Sequence, residues 1–320
     1  MKDGIAVVGT ILVDNINEIS AYPKCGELTK INRAEKSVGG CVMNVAIDLK
    51  KIDPNLTVKA VGKIGADDDG EYIKSVLVKN GVDIDGVIEG ETKTSFTEVM
   101  SVLGGQRTFF TYAGANAEFK NDDVNLEELN VKMLHLGYFL LMEKIDGGDG
   151  EKLLKRAKEN NVITSIDLVT ENSDRYSVVL PCLPYVDNLI INESEAGKIV
   201  GIEPTSENLF EIAKKLKSLG VQDRVIVHTP KLSICLSDRG QESVASYELD
   251  DNFILGTTGA GDAFCAGALY SIYKNRTDRA ILECASATAV AALSKADSTS
   301  GLRSEEEIIE LCKNFKRKAL

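Results

Sequence analysis

Histidine is almost missing from this chain: His135 and His228 are the only two in 320 residues. That scarcity speaks against a histidine-built zinc centre and against a Ser-His-Asp triad, both of which need imidazoles brought together. Paired cysteine spacing is missing as well. The seven cysteines, at 25, 41, 182, 235, 265, 284 and 312, form no C-x-x-C and read as reduced, mostly core thiols. Positive charge is in deficit, with 37 Lys and Arg against 49 Asp and Glu and a net charge of -12, which disfavours a nucleic-acid or anionic membrane partner. No apolar run approaches membrane-spanning length, and Met1-Lys2-Asp3-Gly4 passes straight into a short apolar strand without a signal-peptide pattern, so a cytoplasmic location is expected. Two nucleotide-binding signatures are absent too. No G-x-x-x-x-G-K-[ST] loop occurs, and the first strand carries only Gly9 where a dinucleotide fold shows G-x-G-x-x-G.

The most informative stretch that is there runs Gly256-Thr257-Thr258-Gly259-Ala260-Gly261-Asp262-Ala263-Phe264. Its glycines at 259 and 261 let the backbone turn tightly and gather N–H groups on one concave surface, and the residues after them read as a helix. No charge follows before Lys274, so this helix is expected to be central and buried, its N-terminus opening inside the molecule. Burying that end without a ligand would leave N–H groups unsatisfied. Asp262 stands in the first turn, where bound phosphate would repel it. A general base reconciles the two: the carboxylate accepts a hydroxyl proton while the amides stabilise the phosphoryl group in transfer. A glycine turn capped by aspartate is the plainer reading of the same residues.

Ile5 to Val13 is one continuous apolar run and predicts a strand buried on both faces of a parallel sheet, ended by Asp14. A carboxylate there could meet a polyhydroxylated substrate or merely form the turn. Val38-Gly39-Gly40 introduces a helix carrying Asn44, whose amide offers a donor and an acceptor. Asp67 to Asp69, before another helix, reads as an N-cap rather than a metal site. Buried-type strands at 133–137, 162–167, 188–191 and 224–228, with helical stretches between several of them, make right-handed βα units the expected build. His135, inside the first of these, reads as a core or crevice-edge residue. Asn192 and Glu195 share a helical first turn and could orient hydrated Mg²⁺, although spacing alone favours a capping box. Two segments interrupt the alternation, at about 14–37 and 92–114, the second turning through Gly104-Gly105 to Arg107. They predict a small sheet standing off the body, closing over a ligand or pairing with a copy of itself. Arg107 on it reaches a substrate phosphate or is simply solvated.

Taken together, these stations resemble the ribokinase-like, or PfkB, family of carbohydrate kinases over nearly the whole chain. The loop from 256 to 262 is similar to the family's D-T-x-G-A-G-D signature at six of seven positions. The resemblance implies one α/β domain over 1–320: a three-layer α/β/α architecture with a mostly parallel central sheet and a small β lid. It implies phosphorylation of a sugar hydroxyl, on a fructose-like, ribose-like or sugar-acid substrate, by ATP with Mg²⁺. By position, Asp262 resembles the family's base, and Gly259, Ala260 and Gly261 its anion hole. Asn192 and Glu195 look like the phosphate and Mg²⁺ pair, with Thr229 also meeting phosphate, and Asp14, Gly39, Gly40 and Asn44 are similar to the sugar-binding set. A homodimer through the lid is the expected assembly. Two departures stand out. Gly256 replaces an Asp that helps relatives hold a monovalent cation, which leaves potassium dependence open, and His228-Thr229-Pro230-Lys231-Leu232-Ser233 replaces the usual T-x-G nucleotide loop. A nucleoside kinase of the same fold, with Phe96, Phe110 and Tyr112 as stacking candidates, and a non-catalytic ligand-binding relative are the alternatives.

Overall fold

Apolar runs without alternation form strands covered on both faces, as expected of a parallel sheet between helix layers. The structure is a computed structural model that describes residues 2–102, 107–250 and 252–319. Among these, nine strands make the main sheet: β1 (Ile5–Gly9), β4 (Val58–Ile64), β5 (Asp83–Glu89), β8 (Met133–Phe139), β9 (Ile163–Leu168), β10 (Asn188–Asn192), β11 (Arg224–His228), β12 (Leu232–Ser237) and β13 (Gly240–Ala245). Four make a smaller one: β2 (Leu12–Ile19), β3 (Ile31–Gly39), β6 (Phe96–Val102) and β7 (Arg107–Tyr112).

The main sheet has the order β13-β12-β11-β10-β9-β8-β1-β4-β5. Neighbours from β11 to β5 are parallel, and the expected edge hairpin β12–β13 is antiparallel. The chain lays β4 and β5 on one side of β1, then crosses back to place β8 on the other. Such a reversal opens a crevice at the carboxyl ends of the strands. Alternate residues of β1 feed two separate cores. Ile5 and Val7 pack with the helices Cys41–Ile52, Ala260–Tyr273 and Asp278–Leu293, while Ala6 and Val8 pack with Gly150–Glu159, Glu193–Val200 and Leu209–Ser218. The Ala260–Tyr273 helix is buried from Asp262 to Ile272. It lies so close to Asp278–Leu293 that a Cβ on Gly267 would stand 2.9 Å from the Ala285 Cα, which explains the run of alanines between them.

The run from Ile5 to Val13 is not one strand. β1 stops at Gly9 and β2 starts at Leu12 in the other sheet, so Asp14 lies inside β2, opposite Ser37 of β3 and Thr97 of β6, instead of at a strand's carboxyl end. Both halves are buried, so hydropathy carries no mark of the switch. Hydrogen bonding makes it: the Ile11 N–H donates to Asn116 Oδ1 (3.1 Å) and the Val13 N–H to the Ser95 carbonyl (3.1 Å). In the small sheet, β6 and β7 pair antiparallel, as the hairpin predicts, while its turn at Gly104-Gly105 lies outside the described residues. Asp67 caps the helix Asp68–Lys79 by accepting from the Gly70 N–H. Among the described residues no helix is long and apolar enough to cross a membrane.

Candidate active site

The glycine loop delivers an open helix end. Gly259 has φ +79°, a left-handed conformation, and a Cβ there would stand 2.5 Å from the Ser298 Cβ. Glycine is therefore required both by the backbone and by the packing. The turn consumes the Ala260 N–H on the Thr257 carbonyl (3.3 Å), whereas the Gly261 and Asp262 N–H groups donate to nothing among the described residues. Of the expected trio of Gly259, Ala260 and Gly261, the Ala260 amide is thus already engaged, and the Asp262 amide joins that of Gly261 as an unpaired donor among the described residues. In front of them lie a cavity of about 880 Å³ lined by Ala260, Gly261, His228 and Asn192, and one of about 200 Å³ lined by Gly259, Gly261 and Asp262. The helix end is not plugged by packing.

Asp262 is buried, yet its carboxylate faces the smaller cavity. Asn44 Nδ2 and the Tyr138 hydroxyl both donate to Oδ2, each at 2.9 Å, and no group among the described residues donates to Oδ1. Burial, with the Asp167 charge adding to it, pushes the Asp262 pKa up to about 7, against the pull of those two hydrogen bonds. A carboxyl tuned to neutrality is suited to taking a proton. The active form of a base is the deprotonated one, so kcat/KM is expected to fall tenfold per unit below about pH 7 and to level off above it. A pH–rate profile flat from pH 5.5 to 8 would show that Asp262 does not carry the rate-determining proton.

Of Asp14, Gly39, Gly40 and Asn44, Asn44 is the one hydrogen-bonded to Asp262, while Gly40 caps its helix and Gly39 packs on Asp14. A side chain on Gly39 would collide with the Asp14 carboxylate, and Asn44 lies one turn beyond Gly40, its N–H donating to the Gly40 carbonyl (3.1 Å). Burial raises the Asp14 carboxyl to about 6. The Asn44 amide is already engaged at both ends, donating to Asp262 and accepting from Ser298 Oγ (2.8 Å); one donor and one acceptor position remain. Arg107 reaches the loop rather than open space, its Nη1 donating to Thr258 Oγ1 (3.0 Å), so the small sheet touches the loop just before Gly259.

Asn192 and Glu195 form the reciprocal capping box that their spacing favours: Asn192 Oδ1 accepts from the Glu195 N–H (2.9 Å) and Glu195 Oε2 from the Asn192 N–H (3.1 Å). The Thr170 hydroxyl donates to Glu195 Oε1 (2.8 Å), and burial raises this carboxyl to about 7. Three acids, Asp167, Glu195 and Asp262, therefore line the smaller cavity with no lysine or arginine among its described lining residues. Such a cavity repels phosphate unless a cation accompanies it, and an all-oxygen set of this kind fits hydrated Mg²⁺. Thr229 departs from expectation. It lines the larger cavity, but its hydroxyl donates to the Leu232 carbonyl and accepts from the N–H groups of Lys231 and Leu232, each at 3.0 Å, leaving nothing for phosphate. Pro230 tightens the turn and Thr229 closes it from inside. Gly256 packs on Ala296, whose carbonyl oxygen would stand 2.8 Å from a Cβ there, so the departure from Asp is built into the packing.

Three residues of the site carry no role in the sequence reading. Asp167 stands one residue before the end of β9, a carboxylate near a strand's carboxyl end, which is the signal that drew attention to Asp14. Tyr138 follows β8's glycine with φ +61°, its N–H donating to Asp167 Oδ1 (2.6 Å), and nothing local announces it. His228 stacks on Phe264 at 4.6 Å between ring centroids and lines both cavities, and burial lowers its pKa to about 4, so it is neutral.

An open, glycine-led helix end with a buried carboxylate, at the carboxyl ends of β8 to β11 in a doubly wound sheet, is an arrangement suited to phosphoryl transfer. A family model described as pfkB family carbohydrate kinase matches residues 2–305, and the chain belongs to that family. Probable fructokinase-3 of Arabidopsis thaliana is 25% identical over 297 residues, covering 88% of this chain and 80% of the relative. The structure of Arabidopsis thaliana ribokinase complexed with ribose and ATP superposes with a TM-score of 0.84 at 24% identity, covering 98% of this chain and 99% of that one. The nucleoside kinase of Methanocaldococcus jannaschii superposes with a TM-score of 0.79 at 19% identity, covering 98% of each chain. The large mostly parallel sheet with its separate small sheet is therefore the ribokinase fold.

Proposed function

We propose that this carbohydrate kinase transfers the γ-phosphoryl group of ATP to a sugar hydroxyl, with Asp262 as the base. The observation that carries the reading is the unpaired Asp262 Oδ1 beside unpaired amides at an unplugged helix end. Asp262 takes the hydroxyl proton as that oxygen forms its bond to phosphorus, and the bond from phosphorus to the bridging oxygen of ADP breaks. Asn44 and Tyr138 hold the carboxylate in place. The N–H groups of Gly261 and Asp262 stabilise charge on the phosphoryl oxygens. Asn192 and Glu195 would hold Mg²⁺ through its waters, which neutralises phosphate charge. The 880 Å³ cavity, walled by Tyr247, Leu249 and Val290, has room and apolar surface for a nucleotide base. Asp14, Gly39 and Gly40 face the sugar, and the small sheet serves as a lid, with Arg107 fastening it to the loop through Thr258.

The test is an ADP-release screen across ribose, fructose and sugar acids, run beside adenosine and pseudouridine. Turnover confined to sugars supports the reading; turnover confined to nucleosides transfers it to a nucleoside kinase, for which the Phe96–Tyr112 ring pair on the lid, 5.3 Å between centroids, supplies a stacking surface. Mg²⁺ and ATP together are expected to raise Tm by several degrees at concentrations well above Kd. An unmoved Tm would point to a relative that has lost nucleotide binding. The lid also supports a homodimer. Phe109 and Phe110 on β7 are 60% and 59% exposed, so light scattering is expected to give twice the chain mass and Phe110→Asp to halve it.

A further inference from the structure

Four side chains distant in sequence meet in the core just behind Asp262. Cys41 comes from the first turn of the Cys41–Ile52 helix, His135 from β8, Asp167 from β9, and Cys265 from the central helix one turn after Asp262; all four are buried. One ligand atom from each of Cys41, His135 and Asp167 lies within 4.8 Å of the other two. Cys265 Sγ is 3.6 Å from His135 Nε2, which in turn is 3.4 Å from Asp167 Oδ2. On a tetrahedral zinc ion with bonds of about 2.0 to 2.3 Å, neighbouring ligand atoms stand about 3.3 to 3.8 Å apart.

Each ligand atom can also be presented correctly. His135 Nδ1 lies 3.0 Å from Ser165 Oγ, and that hydroxyl lies 3.4 Å from the Leu134 carbonyl oxygen. With the hydroxyl turned to Nδ1, an Nε2–H faces the Asp167 carboxylate; with it turned to the carbonyl, the ring proton sits on Nδ1 and the Nε2 lone pair faces Cys265 and Asp167. The second is the tautomer that a metal needs, held by the kind of outer hydrogen bond that orients ligating histidines. Asp167 gives Oδ1 to the Tyr138 N–H and keeps Oδ2 for the same point. Gly137 makes room for the Cys41 thiol, since a Cβ there would collide with its Sγ. Asp167 and Cys265 line the 200 Å³ cavity, which provides a path for an ion, and no lysine or arginine among the described lining residues opposes a cation there.

We propose that Cys41, His135, Asp167 and Cys265 form a buried site for a soft divalent cation, represented experimentally by Zn²⁺, that ties β8, β9 and two core helices together behind Asp262. Binding one Zn²⁺ releases the two thiol protons to solvent, and no oxidant or reductant is required. The site goes beyond the phosphoryl-transfer reading and uses neither ATP nor sugar.

The test is a titration of metal-freed, reduced protein with Co²⁺ in the absence of nucleotide. One equivalent is expected to bring up thiolate-to-cobalt charge-transfer absorption and the strong visible bands of tetrahedral Co²⁺, both abolished by one equivalent of Zn²⁺. Cys41→Ser/Cys265→Ser is expected to lose these bands and to weaken Zn²⁺, measured against a chelating dye, at least about 100-fold, the upper end of what losing an outer partner alone costs. Cys25→Ser, at the exposed cysteine, is expected to keep them. Wild-type protein that shows only the weak spectrum of octahedral Co²⁺, or whose bands vanish in Cys25→Ser, overturns the proposal. The wild-type spectrum decides the matter even where the double variant does not fold.

Discussion

Asp262→Asn is expected to lower kcat by about 10²- to 10⁴-fold, the span that a positioned base contributes, while the protein remains folded. The substitution keeps the shape of the side chain and leaves an oxygen able to accept from Asn44 or Tyr138, so the local frame is preserved. What is lost is a proton acceptor with an affinity near neutrality. Stability moves the other way. Burial pushes the native carboxyl up to about 7 from the 3.8 of an ordinary aspartate, so between those pH values the folded state binds more protons than the unfolded state and stability falls as pH rises. A neutral amide escapes that loss. At pH 8, therefore, Asp262→Asn is expected to unfold at a temperature no lower than the wild type while turning over far more slowly. Steady-state kinetics and a thermal melt on the same sample check the pair. A variant keeping a tenth or more of kcat would remove Asp262 from the role of base.

Gly259→Ala is expected to destabilise the fold by about 2 to 5 kcal/mol, adding about 1 to 2 for a left-handed alanine to about 1 to 3 for overpacking. The overpacking is specific, since Cα, Cβ and the carbonyl oxygen of Ser298 all fall within 2.5 to 2.6 Å of the new methyl. Ser298 in turn donates to Asn44, which holds Asp262, so turnover is expected to collapse with stability. Gly261→Ala provides the contrast. Its methyl meets only His228 Cε1, at 4.0 Å, and points into space at the helix mouth. Stability is expected to stay within about 1 kcal/mol of wild type, as for surface changes, while the methyl obstructs the phosphoryl position and activity drops. Urea denaturation of the two variants checks the difference, and equal destabilisation of both would contradict the geometry at the helix mouth.

Much of this was legible in residue order because the relevant signals are local. Glycine at 259 and 261, the absence of charge until Lys274 and the acid in the first turn announce a buried helix, and its N-terminus does open on a cavity. Continuous apolar runs announce parallel strands. The misreadings are equally physical. Ile5 to Val13 hides a change of sheet, since both halves are buried and burial was the only signal available. Thr229 carries the residue type of a phosphate ligand but turns its hydroxyl into its own loop. The scarcity of histidine speaks against a zinc centre built on imidazoles; the proposed site needs only one, with Cys41, Asp167 and Cys265 brought to it from other elements.

The sequence by itself determined the α/β alternation, the interrupting small sheet, the central helix and the acid at its mouth, because periodicity, glycine placement and charge act over a few neighbouring residues. Only the tertiary structure decided that Asp262 would be gripped by Asn44 and Tyr138, that Arg107 would fasten to Thr258, and that Cys41, His135 and Asp167 would gather with Cys265 against His135. Such pairings join distant residues, Asn44 and Asp262 being 218 positions apart, and crossover connections with the packing of two cores set them, beyond the reach of any local pattern.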